Sequence, residues 1–260
     1  MGPSGDPDAM AKAATSKRAT SPAAPAAAEA APLAAAEPVL RASIYEELRR
    51  RMITGKITPG VGLSTRGLAI EMGVSQMPVR DALSRLAAEG AVVIRSKRRI
   101  EVPAMTAERF NDLLDCRLML EPQAAVLALP HITPARLKQL REIDAAIDAA
   151  MEHGDVIGYM EGNFAFHFNM YRANQRPILN RQIEALWLQF GPFMRVVYGR
   201  VGTANLVDQH RIALAALEAR DPEALRRAIA SDIADGMGLI GRSNWTERAP
   251  AAGALIKPPS

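Results

Sequence analysis

The chain has 260 residues and a mass of 28.0 kDa, with a hydrophobic fraction of 48% and a formal net charge of +4. This composition excludes a chain that is disordered throughout, and the length allows two packed domains. No apolar run approaches the roughly 20 residues of a membrane helix, and the N-terminus lacks the order of a signal peptide, so we expect a cytoplasmic protein. The single cysteine, Cys116, cannot form an internal disulfide, which argues against a redox function.

Charge is unevenly distributed along the chain. Residues 41–104 contain 12 Lys and Arg against 6 Asp and Glu, whereas residues 105–242 contain 15 against 17. A surface that binds a polyanion needs concentrated cations, because each neutralised phosphate releases condensed counterions. The positive excess in residues 41–104 meets that requirement, although charge alone does not establish the function.

The first 40 residues are dominated by Ala, Pro, Ser and Gly, so we predict that residues 1–40 form a disordered tail. From Ala42 onward, apolar residues at helical spacing predict a first helix that ends at Gly55. The apolar residues of this helix are Ile44, Leu48, Met52 and Ile53.

Two short helical patterns joined by Gly73-Val74-Ser75 follow, and they have the outline of a helix-turn-helix. Ser64 is placed to cap the first of these helices, and Gly73 supplies the left-handed residue that ends it. Ser75 is placed to cap the second helix. Pro78 falls in the first turn of that helix, where a missing backbone N–H costs little.

The second of these helices has one apolar and one polar side. Its apolar residues repeat at helical spacing and are expected to face the core: Val79, Ala82, Leu83 and Leu86. Gln76, Arg80 and Ser84 are four residues apart and form an outer polar line. A polar line of this kind suits the major groove of DNA.

After Gly90 the pattern changes to two β-branched runs around a basic tip, which predicts a β-hairpin. The first run is residues 91–94, the tip is residues 95–99 and the second run is residues 100–102. Three helices followed by such a hairpin form a winged helix-turn-helix, whose tip commonly lies against a flanking groove or phosphates. We therefore predict a DNA-binding domain at residues 41–104.

The motifs of this domain resemble those of the GntR family of bacterial transcription regulators. The resemblance covers about 60 residues and rests on residues 55–60, 63–69, 73–83 and 86–90. It implies that Arg66 and Arg80 contact an operator. The full set of expected DNA-binding residues is Ser64, Arg66, Ser75, Gln76, Met77, Arg80, Lys97, Arg98 and Arg99.

This chain departs from the family pattern at two places. Gln76 stands where the family usually has Arg or Lys, and the wing lacks the usual glycine. Glutamine reads adenine better than guanine, so the operator is expected to differ from the common family sequence.

The period is helical throughout residues 105–242, which predicts an all-α bundle. We predict six helices, over residues 106–129, 134–152, 155–174, 176–198, 203–219 and 222–241. Pro122 and Pro192 fall inside helical patterns and should kink or split them. The remaining residues, 243–260, are expected to form a loose tail. The fold class is therefore mainly α, a winged helix-turn-helix followed by an all-α six-helix ligand-sensing bundle.

The predicted bundle resembles the ligand-sensing domain of the FCD branch of the GntR family, in its six-helix, VanR-like variety. The residues that carry this resemblance are short motifs at positions 117–122, 163–167, 186–187, 210–212, 219–222 and 231–233. Many members of this branch hold a divalent metal ion with a carboxylate and three histidines.

The corresponding residues here are Asn163, His167, His210 and Asp232. An amide replaces the family carboxylate, and Asp232 stands where the third histidine often lies. Two imidazoles, a carboxylate and a carbonyl oxygen still suit zinc, nickel or manganese. The competing interpretation is a metal-free polar pocket in which the same residues bind a ligand directly.

We expect the effector to be a small molecule bearing a carboxylate, in contact with Arg117, Asn163 and His167. A planar guanidinium can clamp a carboxylate, but Arg117 is equally placed to pair internally with Glu121 one turn later. Both interpretations of Arg117 remain open at this point.

The sequence thus predicts a homodimeric, nucleoid-associated transcription regulator, a repressor rather than an enzyme, that binds a near-palindromic double-stranded DNA operator and responds to a small organic acid. A two-fold dimer would present two recognition helices to the two half-sites. One alternative is a metal-dependent enzyme that uses His167, His210 and Asp232 with a bound water. Another is an architectural DNA-binding protein without an effector.

Overall fold

A computed structural model describes residues 30–96, 99–201 and 208–242; the side chains of residues 30–39, 196–201 and 239–242 are not described. Most of the predicted N-terminal tail, the wing residues Lys97 and Arg98, and the C-terminal tail lie outside the described residues. Chain contacts separate two units, Met1–Glu37 and Pro38–Ser260, and the features below belong to the second unit except for the start of the first helix.

The described residues form helices and one small sheet, as the sequence predicts. The helices are α1 (Ala30–Ile53), α2 (Thr65–Met72), α3 (Gln76–Ala88), α4 (Ala107–Ala128), α5 (Pro134–Glu152), α6 (Val156–Tyr171), α7 (Pro177–Val201), α8 (Gln209–Ala219) and α9 (Pro222–Arg242). The strands are β1 (Val93–Ser96) and β2 (Arg99–Glu101), and short 3-10 turns follow α4 and α6 at Leu129–His131 and Arg172–Asn174. The predicted fold class, a winged helix-turn-helix followed by a helical bundle, is confirmed.

Helix α1 begins earlier than the sequence analysis predicts. The predicted tail extends to residue 40 and the predicted helix starts near Ala42, whereas α1 starts at Ala30. The added segment is rich in alanine, which has the highest intrinsic helix propensity, so low apolar content was a poor guide to its conformation.

The helix-turn-helix forms largely as predicted. The hydroxyl of Ser64 accepts a hydrogen bond from the backbone N–H of Gly67 at 2.9 Å, and Gly73 ends α2 with a φ of 65°. Ser75 occupies the position before α3, but its side chain makes no capping hydrogen bond, so that part of the prediction is wrong. An extended backbone at Ser75 is enough to start the helix. The predicted inward residues of α3 are all buried: Val79, Ala82, Leu83 and Leu86.

The wing is a two-stranded antiparallel hairpin that pairs Ile94 with Ile100. Its first strand starts at Val93 rather than at residue 91, because the N–H of Ala91 donates to the carbonyl of Leu86 at 2.9 Å in the turn that ends α3. Leu63 adds a third, short strand position: its N–H donates to the carbonyl of Ile100 at 2.7 Å and its carbonyl accepts in return at 3.2 Å. These two hydrogen bonds fix the wing to the segment that leads into α2.

Helices α4–α9 form the bundle, with α4 packed on α9, α5 on α6 and α8 on α9. Pro122 and Pro192 lie inside α4 and α7, and neither splits its helix. The largest fully buried side chains of the bundle core are aromatic: Phe166, Phe168, Tyr171, Trp187 and Phe190. None of the described helices combines the length and the apolar character that crossing a membrane requires.

Helix α7 also contacts the winged helix. The guanidinium of Arg195 donates to the carbonyl of Gly55 at 3.3 Å, and the amide of Gln189 donates to the carbonyl of Glu89 at 3.2 Å. Between them, Gly191 faces the end of α1 so closely that a Cβ there would lie 2.9 Å from the carbonyl oxygens of Met52 and Ile53. The two domains are therefore in direct backbone-level contact at this turn of α7.

Replacing Gly191 with alanine should lower the free energy of unfolding by about 1–3 kcal/mol, the usual cost of overpacking. An exposed helix interior would instead gain about 1 kcal/mol from the same change, since alanine has the higher helix propensity. Urea unfolding measures the difference, with Gly62→Ala as the control because nothing lies within 4 Å of a Cβ at Gly62. A Gly191→Ala variant as stable as the parent would show that the contact is loose.

Candidate nucleic-acid interface and candidate metal centre

The outer line of α3 is exposed as predicted. Gln76, Arg80 and Ser84 are all exposed, and Met77 beside them is 56% exposed although its side chain is apolar. Arg80 on α3 and Arg66 on α2 are exposed, and neither makes an ion pair or hydrogen bond with another described residue. Their guanidinium groups are therefore available to an external anion.

The other arginines of this domain that the structure describes are engaged internally. Arg85 lies over the ring of Tyr45, with its guanidinium carbon 3.6 Å from the ring centroid, and Arg51 pairs with Glu47 and Glu71. On α1, Arg49 and Arg50 pair with Glu184 and Glu161 of the bundle. The contrast makes Arg66 and Arg80 the two predicted contacts with the strongest structural support.

The remaining predicted DNA-binding residues divide into three groups. Ser64 is occupied in capping α2, whereas Ser75 is exposed and makes no cap. Arg99 is exposed but pairs with Glu101 at 3.2 Å, so a phosphate would have to compete with that carboxylate. Lys97 and Arg98 lie outside the described residues.

Three of the four predicted metal ligands meet inside the bundle. His167 of α6, His210 of α8 and Asp232 of α9 each offer a ligand atom, and these atoms all lie within 4.8 Å of one another. The Nε2 atom of His167 is 3.1 Å from a carboxylate oxygen of Asp232, and the Nε2 atom of His210 is 3.7 Å from the other. We call these three residues the histidine cluster.

Both histidines present an unsatisfied nitrogen to this cluster. Their Nε2 atoms are buried and have no hydrogen-bond partner of adequate geometry among the described residues. Buried polar atoms are nearly always satisfied, so two orphaned atoms side by side need an explanation. A metal ion would satisfy both atoms, because each nitrogen could give it a lone pair.

The rest of the network fixes the ring of His167 in the orientation that a ligand needs. The hydroxyl of Tyr171 donates to Glu121 at 3.0 Å and lies 2.9 Å from Nδ1 of His167. Because that hydroxyl proton is committed to Glu121, the network assigns the imidazole proton to Nδ1, which leaves the lone pair on Nε2. Burial and the charge of Glu121 raise the pKa of Tyr171 well above its ordinary value, so the hydroxyl stays protonated.

His210 is oriented in a comparable way by a carboxylate. Its Nδ1 lies 3.2 Å from a carboxylate oxygen of Asp144, on α5, which accepts the hydrogen bond. Burial lowers the pKa of His210, but the hydrogen bond to Asp144 and the charges of Asp232, Asp144 and Asp208 together raise it. A carboxylate or hydroxyl behind each imidazole is the usual outer shell of a metal-binding histidine.

Asp232 completes a donor set that fits a divalent transition metal. Burial would raise the pKa of Asp232, but the proximity of the imidazoles of His167 and His210 and of the guanidinium of Arg117 lowers it to about 2. Asp232 is therefore an anionic oxygen donor at neutral pH. Two imidazoles and one carboxylate with room for further donors suit zinc and its neighbours in the first transition row.

Asn163 and Arg117 line the cavity beside the cluster. The cavity has a volume of about 140 Å³, and its lining includes both residues together with Asp144, Asp232 and His210. Asn163 is 8% exposed, and its amide makes no hydrogen bond with another described residue. His167 is fully buried and is not among the residues that line the cavity, and its contact with an effector stays a prediction.

Arg117 makes the internal pair that the sequence left as one of two possibilities. Its Nε lies 2.5 Å from a carboxylate oxygen of Glu121, and both side chains are buried. The guanidinium carbon also lies 3.8 Å from the ring centroid of Phe190. The charge of Arg117 is therefore largely committed to Glu121, although the residue still borders the cavity.

Two residues of this site escaped the sequence analysis. Neither Tyr171 nor Asp144 is among the site residues predicted from the sequence. Asp144 and Asp148 are one helical turn apart on α5, a spacing that places both carboxylates on one face and could have marked a polar pocket. Tyr171 lies four residues after His167, a spacing that likewise places the two side chains on one face of a helix.

Comparison with known proteins gives a consistent assignment for both parts of the chain. The sequence profile of bacterial regulatory proteins of the gntR family matches residues 40–102, and that of the FCD domain matches residues 112–235. The HTH-type transcriptional regulator McbR of Escherichia coli strain K12 is 29% identical over 204 residues, which cover 77% of this chain and 92% of McbR. A probable D-xylose utilization operon transcriptional repressor of Paenarthrobacter nicotinovorans is 25% identical over 190 residues, covering 73% and 84%.

The fold is also similar to a solved structure. The structure of E. coli McbR/YncC matches with a TM-score of 0.75 at 29% identity, covering 79% of this chain and 98% of that one. The matched share is longer than either domain alone, so the similarity in fold extends over both.

Replacing Glu121 with alanine should cost about 3–5 kcal/mol in the free energy of unfolding, because the guanidinium of Arg117 would remain buried without its counter-charge. The paired change Arg117→Met with Glu121→Leu should recover part of that loss, since it removes both charges and keeps apolar volume. Chemical denaturation of the two variants tests this. A loss below about 1 kcal/mol in the single variant would mean that water reaches Arg117.

Proposed function

This chain belongs to the GntR family of bacterial regulatory proteins and carries an FCD domain, and on that premise we propose a repressor whose affinity for its operator changes when a small molecule binds in the cavity of the bundle. The chain is a transcription regulator and not an enzyme. The family assignment fixes the class of function, and the architectural alternative would leave the cavity and its orphaned nitrogens without a role.

The observation that carries the DNA-binding part is the pair of unpartnered arginines on the exposed face of the winged helix. Arg80 lies on the outer line of α3, the helix that enters the major groove in this type of domain. Arg66 lies near the start of α2, and a guanidinium there suits a base edge or a phosphate. We infer that two copies of the chain form a homodimer, because a near-palindromic operator presents the same half-site twice.

The variant Arg80→Ala should lose roughly 1–3 kcal/mol of specific binding and become tolerant of substitution at one base pair, since a guanidinium reads guanine through two hydrogen bonds. Operators selected from random duplexes by the parent protein can be titrated with each variant by fluorescence anisotropy at fixed salt. Arg181→Ala is the control, because Arg181 is an exposed arginine of the bundle. An equal loss of affinity for every DNA sequence would indicate that Arg80 contacts a phosphate instead of a base.

We propose further that the histidine cluster holds a divalent metal ion, with His167, His210 and Asp232 as protein donors, while Asn163, the fourth ligand expected from the sequence, lines the adjoining cavity. Such an ion supplies a positively charged anchor for a donor atom of a bound molecule. The support is the pair of orphaned Nε2 atoms and the outer partners that orient each ring. The metal-free pocket is the competing interpretation, and it leaves both nitrogens to be satisfied by the ligand or by water.

The double variant His167→Ala with His210→Ala should contain no stoichiometric transition metal when purified, while the parent should contain close to one ion per chain. Tyr171→Phe should weaken metal affinity roughly 10–100-fold, because outer-shell partners fix the ligand ring. Inductively coupled plasma mass spectrometry and a competitive chelator titration measure the two effects. The control is His153→Ala, since His153 is exposed and hydrogen-bonds only to a backbone carbonyl among the described residues. Unchanged metal content in the double variant would exclude the cluster as the site.

The contacts of α1 with the bundle give the proposed effector a route to the DNA-binding domain. The guanidinium of Arg50 donates to Glu161 of α6 at 2.7 Å, and Arg49 pairs with Glu184 of α7 at 3.0 Å. Helix α6 carries Asn163 and His167 next to Glu161, so the site and the interface share one helix. A ligand shifts the arrangement of the domains only to the extent that it binds one arrangement more tightly.

A further inference from the structure

The walls of the bundle cavity carry an excess of negative charge. Five aspartates line it, from α5, α9 and the residue before α8: Asp144, Asp148, Asp208, Asp232 and Asp235. Among the described residues, the lining contains one arginine, Arg117, and one histidine, His210. The cavity is therefore acidic even before the partners of those two cations are considered.

The two cationic groups do not neutralise this excess. Arg117 is paired with Glu121 behind the cavity wall, and the Nδ1 atom of His210 is bound to Asp144. Asp148 has no hydrogen bond or ion pair with another described residue. Its pKa is raised by burial and by the charges of Asp144, Asp208 and Glu152, as expected where carboxylates face one another.

A metal ion in the histidine cluster would not reverse the sign. The five lining aspartates and Glu121 carry six negative charges, against four positive charges on Arg117, a divalent ion and Arg211, which pairs with Asp208 at 3.7 Å. Of residues 196–207, which lead into Asp208, only Arg200 has a cationic side chain, and one further positive charge would not balance the excess. An organic acid entering this cavity would meet repulsion from like charges within a few ångströms.

A second observation shows that the cavity is built to receive a polar group. Asn163 is 8% exposed and lines the cavity, yet its amide has no hydrogen-bond partner among the described residues. The amide is open to the cavity, so a ligand that donates a hydrogen bond to its carbonyl oxygen would find an unused acceptor there. An ammonium group, with three donors and no acceptor, can bind Asn163 and a carboxylate together.

We propose that the effector is a small organic cation, an amine whose ammonium group binds between Asn163 and the aspartates of the cavity, and not the organic acid expected from the sequence. This proposal rests on the proposed regulatory function only in treating the bound amine as an effector. Binding of the amine can be measured without DNA. The volume of about 140 Å³ limits the ligand to a few non-hydrogen atoms beyond the ammonium group.

The test uses three probes with a four-carbon chain that differ in charge: 1,4-diaminobutane, 1,4-butanediol and succinate. Isothermal titration calorimetry measures each probe against the full chain, both zinc-loaded and chelator-treated. We expect the diamine to bind at least roughly tenfold more tightly than the diol or succinate in both forms, because a unit charge near a carboxylate contributes at least that much.

Charge-removing variants locate the binding site. Asp148→Asn should weaken diamine binding about three- to tenfold, and adding Asp235→Asn should weaken it further, while the affinity for the diol stays unchanged. Asp112→Asn is the matched control, because Asp112 is an exposed aspartate of α4 that does not line the cavity. Circular dichroism confirms that each variant is folded.

Two results would overturn the proposal. One is tighter binding of succinate than of the diamine to the zinc-loaded protein, which would support an organic acid as the effector. The other is diamine affinity that Asp148→Asn and the double variant leave unchanged, which would place the amine elsewhere. Failure of the regulatory proposal is seen separately: the diamine would bind as expected, but operator affinity would not change when it is added.

Discussion

The buried carboxylate of Glu121 is the interaction on which the bundle depends. It has no exposed surface and accepts hydrogen bonds from Arg117, Tyr171 and Trp187, which come from α4, α6 and α7. A charge in that position is tolerated only because the donors surround it. The same carboxylate holds the Tyr171 hydroxyl, and through it the ring of His167, so packing of the core and chemistry of the histidine cluster share one anchor.

Most of the helical framework could be predicted from local patterns. Helices α5 and α9 start at Pro134 and Pro222, because a proline fits the first turn of a helix and the preceding Thr or Asp supplies a cap. The helix-turn-helix could be predicted equally well, since Ser64 and Gly73 mark the start and the end of α2 in the local sequence. The start of α1 could not be predicted in this way, because an alanine-rich segment has the same low apolar content whether it is a helix or a tail.

The site was harder to predict, because its partners are far apart in the sequence. Asp144 meets His210 across 66 residues, and Glu121 meets Tyr171 across 50, separations over which no periodicity carries information. The histidines could be identified from a family resemblance. Their outer partners, the sign of the cavity charge and the commitment of Arg117 to Glu121 required three-dimensional proximity.

One turn of α7 contacts both the cavity of the bundle and the winged helix, and this has a mechanical consequence. Phe190 and Met194 line the cavity, while Gly191 and Arg195, each the next residue along, touch the end of α1 and the turn after it. Pro192 lies within this turn and has no N–H for the carbonyl four residues earlier, so the helix lacks one of its own restraints here. A displacement of the cavity wall is therefore transmitted to the winged helix directly, without an intervening linker. The distance involved is the width of a single helix, about 10 Å.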